Sequence, residues 1–226
     1  MKIALLGYGK MGRYIERLAT EGGDEVVLRV DEHNRADIRS ADLEGVDVAI
    51  DFSRPDAAVA NIELALAAGV PVVVGTTGWL DQLPTVRKQV EEAGGALFWA
   101  SNFSVGVNVF FAAARRLAEL ISKENYRVSI EETHHTEKID APSGTAITLA
   151  ETVAAGLRGD RPDIISYREK DVPGTHLLRF SSDIDEIEMT HTAHSREGFA
   201  RGAIQAAHWI AGRRGVFTMA DLLESD

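Results

Sequence analysis

Residues 132–146 read ETHHTEKIDAPSGTA. Two adjacent histidines, His134 and His135, precede Lys138 and a Pro-Ser-Gly-Thr turn, Pro142 to Thr145. An imidazole exchanges protons near neutral pH, and an ammonium both donates and carries positive charge. Ser143-Gly144-Thr145 is predicted to open a helix whose first N–H groups can hold an anion. Pro142 suits that helix start because it has no N–H to leave unpaired. The pattern therefore offers proton delivery beside a carboxylate-sized anion site. Taken alone, His-His-x-x-Lys is more often a solvated surface feature, so its meaning rests on what surrounds it. No H-E-x-x-H spacing is present, and His33, His176, His191, His194 and His208 form no recognised ligand pattern with the pair. No metal site is expected.

A second constellation lies at the start of the chain. Gly7-Tyr8-Gly9-Lys10-Met11-Gly12 is a G-x-G-x-x-G sequence directly after the apolar run KIALL. In that context Gly7 permits a tight turn, Gly9 lets backbone approach a pyrophosphate, and Gly12 lets helix and strand pack closely. Asp31 ends the next apolar run, about 20 residues on, where an acid meets the ribose hydroxyls. A carboxylate there disfavours a 2′-phosphate, which points to NADH; His33 and Arg35 nearby keep NADPH open. Asp51-Phe52-Ser53, Gly75-Thr76-Thr77-Gly78 and Ser101-Asn102-Phe103-Ser104 each follow a further apolar run. On an open α/β sheet, ligands bind at that edge.

The elements that must position these residues fall into two patterns. Over the first hundred residues, apolar runs at 2–7, 25–31, 46–53, 70–78 and 96–104 alternate with helical stretches at 10–20, 55–68 and 79–93. Runs buried on both faces and separated by helices predict a parallel sheet of the Rossmann type. The pattern then changes. A long amphipathic helix is predicted over 105–123 and another helix over 145–157. Residues 127–135, 176–183 and 186–194 alternate apolar with polar, and a turn near 183–185 joins the last two. Such strands suit a mixed or antiparallel sheet in a smaller α/β domain. Residues 158–174, with Pro162 and Pro173, read as a loop, and a last helix covers 199–212. The expected organisation is a dinucleotide-binding domain, 1–104 with 200–226, and a second domain, 105–199, for substrate binding and oligomerisation.

Composition narrows the function. The chain has 226 residues, a formal net charge of −11 and no cysteine. The charge disfavours nucleic acid as a partner. The missing thiol removes disulfides, Cys-ligated metals and thioester-forming dehydrogenase chemistry. No apolar run approaches the roughly 20 residues that span a bilayer, so no membrane association and a cytoplasmic location are expected.

The stretch from Glu132 to Ala146 resembles the signature E-x-H-H-x-x-K-x-D-A-P-S-G-T-A of the dihydrodipicolinate reductase (4-hydroxy-tetrahydrodipicolinate reductase) family. The similarity continues at D-F-S (51–53), V-G-T-T-G (74–78), N-F-S-V-G-V-N (102–108), T-H-x-A-x-S-R (190–196) and F-x-x-G-A (199–203) with Trp209. The resemblance implies reduction of a cyclic imine dicarboxylate by NADH or NADPH on the diaminopimelate route to lysine. It makes His134 a proton donor and acceptor and Lys138 a second donor. His135, Gly144 and Thr145 would bind the substrate. Gly7 to Gly12, Asp31, Gly75 to Thr77, and Ala100, Ser101, Asn102 and Phe103 would contact the cofactor. A homotetramer built through the second domain's sheet is implied too. Two departures stand out: the phosphate loop is one residue shorter than the family's usual G-x-x-G-R-M-G, with Lys10 in place of arginine, and the segment around 172–176 is trimmed. The alternatives are another Rossmann-type dehydrogenase, a non-catalytic NADH-sensing regulator, or a binding module that uses the fold alone.

Overall fold

The structure, a computed structural model, describes residues 1–195 and 197–225. The chain forms two compact units, 1–104 with 199–226 and 105–198.

In the first unit six strands form one parallel sheet: β1 (Lys2–Leu6), β2 (Glu25–Val30), β3 (Val48–Asp51), β4 (Val72–Val74), β5 (Ala96–Trp99) and β10 (Gly215–Phe217). Their order is β10-β5-β4-β3-β1-β2. The chain runs from β1 to β2 on one side and then crosses back to β3 on the other. The strand order therefore reverses at β1 and β3, the place where such sheets bind ligands. Ile3, Ala4, Leu5 and Leu6 are all at most 1% exposed. Burial on both faces is why this strand reads as an unbroken apolar run. Helices α1 (Lys10–Glu21), α2 (Pro55–Ala67) and α3 (Leu83–Ala93) make the crossovers. The helix expected over 79–93 is split: a short 3₁₀ turn, Leu80–Gln82, precedes α3, and Pro84 lies in the first turn of α3. Trp79, 1% exposed, anchors that turn and donates its indole N–H to Thr76 O at 2.8 Å.

The second unit is a four-stranded mixed sheet covered on one face by two helices. It comprises α4 (Val105–Ile121), β6 (Arg127–His134), α5 (Gly144–Leu157), β7 (Asp163–Arg168), β8 (Gly174–Ser181) and β9 (Glu186–Ala193). The order is β7-β6-β8-β9, with β7 parallel to β6 and the other pairs antiparallel. Ile130, Leu178 and Phe180 of the sheet pack with Phe110, Ala114, Ala118, Leu149 and Val153 of the helices. The helices approach closely: a Cβ on Gly156 would lie 2.7 Å from Ala118 Cβ and 2.8 Å from Arg115 O. The opposite sheet face carries Ile165, Tyr167 and Leu177 around an ion-pair cluster. There Arg179 meets Glu131 at 3.0 Å, Glu188 at 2.6 Å and Glu186 at 3.4 Å.

Three elements depart from the sequence reading. The loop expected over 158–174 contains β7, an edge strand between Pro162 and Pro173. An edge strand needs ladder bonds on one side only, so flanking prolines and half-exposed residues hide it. The last helix, α6 (Glu197–Ile210), begins two residues earlier than expected, and beyond it β10 and α7 (Met219–Glu224) follow. Strand β10 has only three residues, too few for alternation to register.

Candidate functional site

The carboxyl ends of β1, β2 and β3 enclose a cleft of about 630 Å³. Gly7, Tyr8, Gly9, Arg13, Asp31, His33, Arg35, Phe52 and Ser53 are among its walls. The glycines act as the spacing suggested. Gly7 has φ +105°, and a Cβ there would lie 2.3 Å from Phe52 O. A Cβ on Gly12 would lie 2.4 Å from Gly7 O, so strand and helix close only on glycine. A Cβ on Gly9 would meet nothing within 4 Å, which leaves bare backbone facing open space at the helix start. That is a cradle for a phosphate group. Lys10 is exposed and Met11 half-buried on the first turn of α1.

Asp31 uses Oδ1 to cap its own turn, accepting from His33 N at 2.9 Å and Asn34 N at 3.3 Å. Oδ2 makes no bond among the described residues, so it remains for a ribose hydroxyl. Arg35 is pinned: Nε donates to Asn61 Oδ1 at 2.6 Å and a terminal nitrogen donates to Ala60 O at 3.1 Å. Beneath it lies Asp51, fully buried at the end of β3. Its oxygens accept from Asn61 Nδ2 at 2.8 Å and Thr76 Oγ1 at 2.7 Å. Burial holds the Asp51 carboxyl above its usual range, against the pull of bonds from Thr76, Ser53 and Asn61.

Not every residue named for the cofactor presents its side chain. The Thr76 hydroxyl is spent on Asp51 and on Ser53 N, at 2.8 Å. Phe103, 1% exposed, packs against Phe52 and Phe98. Ala100 is buried, Gly75 and Asn102 are half-buried, and Thr77 and Ser101 are exposed. These residues follow β4 and β5 and do not line the cleft at β1–β3.

In the second unit, β6 carries Glu132 and His134 on one face, two residues apart, as strand geometry requires. Both point inward: Glu132 is 0% and His134 8% exposed. Glu132 Oε2 contacts His134 Nδ1, and neither atom has another hydrogen-bond partner among the described residues. Glu132 Oε1 accepts from Arg168 at 3.1 Å and from Ser143 N at 3.3 Å. Burial would raise the Glu132 carboxyl, but bonds from Ser166, Arg168 and Ser143 outweigh it and hold the group below its usual range. Burial first, with the Lys138 and Arg168 charges, lowers the His134 imidazole against the pull of Glu132. The pair is a carboxylate beside a neutral imidazole. Gly174 stands against the far ring nitrogen: a Cβ there would lie 2.9 Å from His134 Nε2.

Ser143, 1% exposed, is the N-cap of α5, and its hydroxyl accepts from Ala146 N at 3.1 Å. Pro142 sits one residue before the cap, at the entry to the helix. Gly144 and Thr145 follow as the first helical residues. Lys138 Nζ pairs with Asp140 at 2.9 Å. His135, just past β6, is half-buried. His176, 4% exposed, lies 3.3 Å through Nε2 from Ser143 Oγ, with its ring 5.1 Å from that of His134. Burial, then electrostatic coupling to the neighbouring His134 imidazole, pushes it down to about 4.

Sequence reasoning found His134 and Lys138 but gave no role to Glu132, Arg168 or His176. Glu132 was legible, since E-x-H on a strand shares one face. Arg168 and His176 reach the site through pairings that no local pattern encodes: His134 opposite Arg168, and Glu132 opposite His176. Potential ligand atoms of Glu132, His134 and His176 lie within 4.8 Å of one another, a grouping the histidine spacing did not reveal. Glu132 and His134 touch directly, however, and Arg168 binds the same carboxylate. Arg168 supplies a positive charge opposite this carboxylate, and His176 Nδ1 is buried without a hydrogen-bond partner among the described residues. Arg196, the last residue of the 190–196 motif, lies outside the described residues.

Comparison with known proteins agrees with the geometry. The family description "Dihydrodipicolinate reductase, N-terminus" matches residues 1–103, and "Dihydrodipicolinate reductase, C-terminus" matches 106–223. A 4-hydroxy-tetrahydrodipicolinate reductase of Christiangramia forsetii is 46% identical over 99% of this chain and 98% of its own. That of Neisseria meningitidis is 32% identical over 99% and 97%. Among solved structures, a dipicolinate-bound dihydrodipicolinate reductase from Paenisporosarcina sp. shares the fold, with a TM-score of 0.84 at 21% identity over 96% of this chain and 97% of that one. An aspartate dehydrogenase from Thermotoga maritima gives 0.54 at 15% identity over 94% and 97%. The two matched segments and the full-length relatives leave one assignment: this chain belongs to the dihydrodipicolinate reductase family.

Proposed function

We propose that this chain reduces 4-hydroxy-tetrahydrodipicolinate, a cyclic imine dicarboxylate, to tetrahydrodipicolinate in diaminopimelate and lysine biosynthesis. The observation that carries the reading is the buried Glu132–His134 pair beside the start of α5, within a chain that matches the family along its length.

When bound, the nicotinamide supplies the hydride. The residues of this chain do the rest. Bare backbone at Gly7 and Gly9 and the start of α1 take the pyrophosphate, and the Asp31 carboxylate takes the ribose. Gly144 and Thr145, at the start of α5, bind one substrate carboxylate, which takes the place of the Asp140 carboxylate at Gly144 N; His135 contacts the substrate beside them. The Lys138 ammonium exchanges Asp140 for a substrate carboxylate and serves as a second proton donor. His134 is neutral at neutral pH, so its Nε2 takes a proton from solvent and passes it on, or orients the water that delivers it. Hydride arrival places negative charge on the substrate, and this proton, with the nearby cations, quenches it.

Three finer readings belong to the same proposal. NADH is preferred over NADPH, because Asp31 faces the ribose and Arg35 is pinned by Asn61 and Ala60. The sheet face bearing Ile165, Tyr167 and Leu177 is the surface of a homotetramer. The enzyme works in the cytoplasm without nucleic-acid or membrane partners; among the described residues no helix is long and apolar enough to cross a membrane.

The test is oxidation of NADH on adding the condensation product of pyruvate and aspartate semialdehyde. Substrate-dependent oxidation, with a lower KM for NADH than for NADPH, is expected. A chain that binds NADH but never oxidises it would instead be a nucleotide sensor.

A further inference from the structure

The second unit contains a buried carboxylate that the reaction does not consume. Glu132 is the most enclosed charged group near the histidines, and each of its oxygens has a separate task. Oε1 faces donors only, Arg168 at 3.1 Å and Ser143 N at 3.3 Å. Oε2 faces His134 Nδ1. An ionised carboxylate accepts and cannot donate, so the ring nitrogen against it must carry the hydrogen. A neutral imidazole with hydrogen on Nδ1 has its lone pair on Nε2. Nε2 faces Gly174, the one residue type that leaves space beside it, since a Cβ there would lie 2.9 Å away.

We propose that Glu132 is the positioning residue of this site: it fixes His134 in the Nδ1–H tautomer with Nε2 as proton acceptor, and through Ser143 N it ties that imidazole to the anion-binding start of α5. The inference rests on the reductase reading for its catalytic consequence, but the tautomer itself does not depend on turnover. A single carboxylate thereby registers the proton-handling group against the substrate-holding group. His176 supports the same register from the other side, 3.3 Å from the Ser143 hydroxyl. Arg168 completes the clamp by donating to Asp140 O at 2.7 Å as well as to Glu132.

The Glu132→Gln variant separates positioning from packing. The amide is nearly isosteric with the carboxylate but has one acceptor and one donor end. Arg168 and Ser143 N present donors, so the amide oxygen must face them. The NH₂ then faces His134 Nδ1, which can receive it only by giving up its hydrogen. The tautomer should invert.

The experiment is imidazole ¹⁵N–¹H correlation NMR on the full chain labelled at histidine, with His134→Gln to assign the signal. Wild type is expected to show His134 neutral with hydrogen on Nδ1, and Glu132→Gln to show it on Nε2. Turnover of the condensation product should fall about 100-fold in Glu132→Gln with NADH affinity unchanged, and Glu132→Asp should restore part of it. A wild-type His134 carrying its hydrogen on Nε2 overturns the proposal even if the variant fails to fold. So does a folded Glu132→Gln variant whose tautomer does not change. Inversion of the tautomer with undiminished turnover keeps Glu132 as the determinant of the tautomer and removes His134 from the proposed proton transfer, so the two readings fail separately.

Discussion

His176 makes the stability of the second unit depend on pH in a calculable way. Its imidazole is 4% exposed and its pKa falls to about 4 through burial first and electrostatic coupling to the neighbouring His134 imidazole second. An unfolded histidine titrates near 6.5. The folded value lies below the unfolded one, so the unfolded chain binds more protons between them and stability rises with pH across that window. The contribution is fully present above about pH 6.5 and is lost as pH falls towards 4. The difference amounts to about 2 kcal/mol near pH 5 and about 3 kcal/mol near pH 4. Replacing His176 with Gln keeps a polar group near Ser143 Oγ and removes the titration. Native-state hydrogen exchange of β6 and β8 amides, at several pH values after correction for intrinsic exchange rates, reads this locally. The wild-type protein should lose about 2 kcal/mol more than His176→Gln between pH ~7 and ~5. Parallel losses in the two proteins would refute the claim that His176 is held neutral by its surroundings.

Other perturbations follow from the same geometry. Asp51→Ala leaves the buried donors of Asn61 and Thr76 without their acceptor and should destabilise the first unit by about 2–4 kcal/mol, read by denaturant unfolding of tryptophan fluorescence. Gly12→Ala forces a Cβ to within 2.4 Å of Gly7 O, backbone against backbone; NADH affinity should fall about tenfold or more, and unchanged titration calorimetry would contradict the close-packing account. Gly174→Ala crowds His134 Nε2 and should lower kcat while leaving the Kd for NADH unaltered. Lys138→Ala should cut kcat strongly with NADH binding nearly intact; unchanged turnover would take Lys138 out of the reaction.

Much of this was legible in the sequence because the informative patterns are local. A strand buried on both faces reads as KIALL, and a glycine that must meet backbone at 2.3 or 2.4 Å has no substitute. The helix start at Ser143 shows itself through small, capping residue types. What stayed hidden is non-local. Edge strand β7 looks like loop between its prolines, and with it went Arg168, which lies opposite His134 only because β7 pairs parallel with β6. His176 faces Glu132 through an antiparallel register that hydrophobic alternation alone does not fix. Thr76 and Phe103 were expected to contact the cofactor; the Thr76 hydroxyl serves Asp51 and the Phe103 ring the core, which leaves their backbone for such a contact. Position at a strand end says that backbone is near a ligand edge, not that the side chain turns towards it.

The central claim is a direct passage of hydride from nicotinamide to an imine-bearing dicarboxylate held by this chain. The most direct measurement uses NADH stereospecifically deuterated at the nicotinamide C4 and mass spectrometry of the product. Deuterium in tetrahydrodipicolinate, from one face of the nicotinamide only, is the expected result. Product free of deuterium with either labelled form, or NADH oxidised without any reduced product, would contradict it.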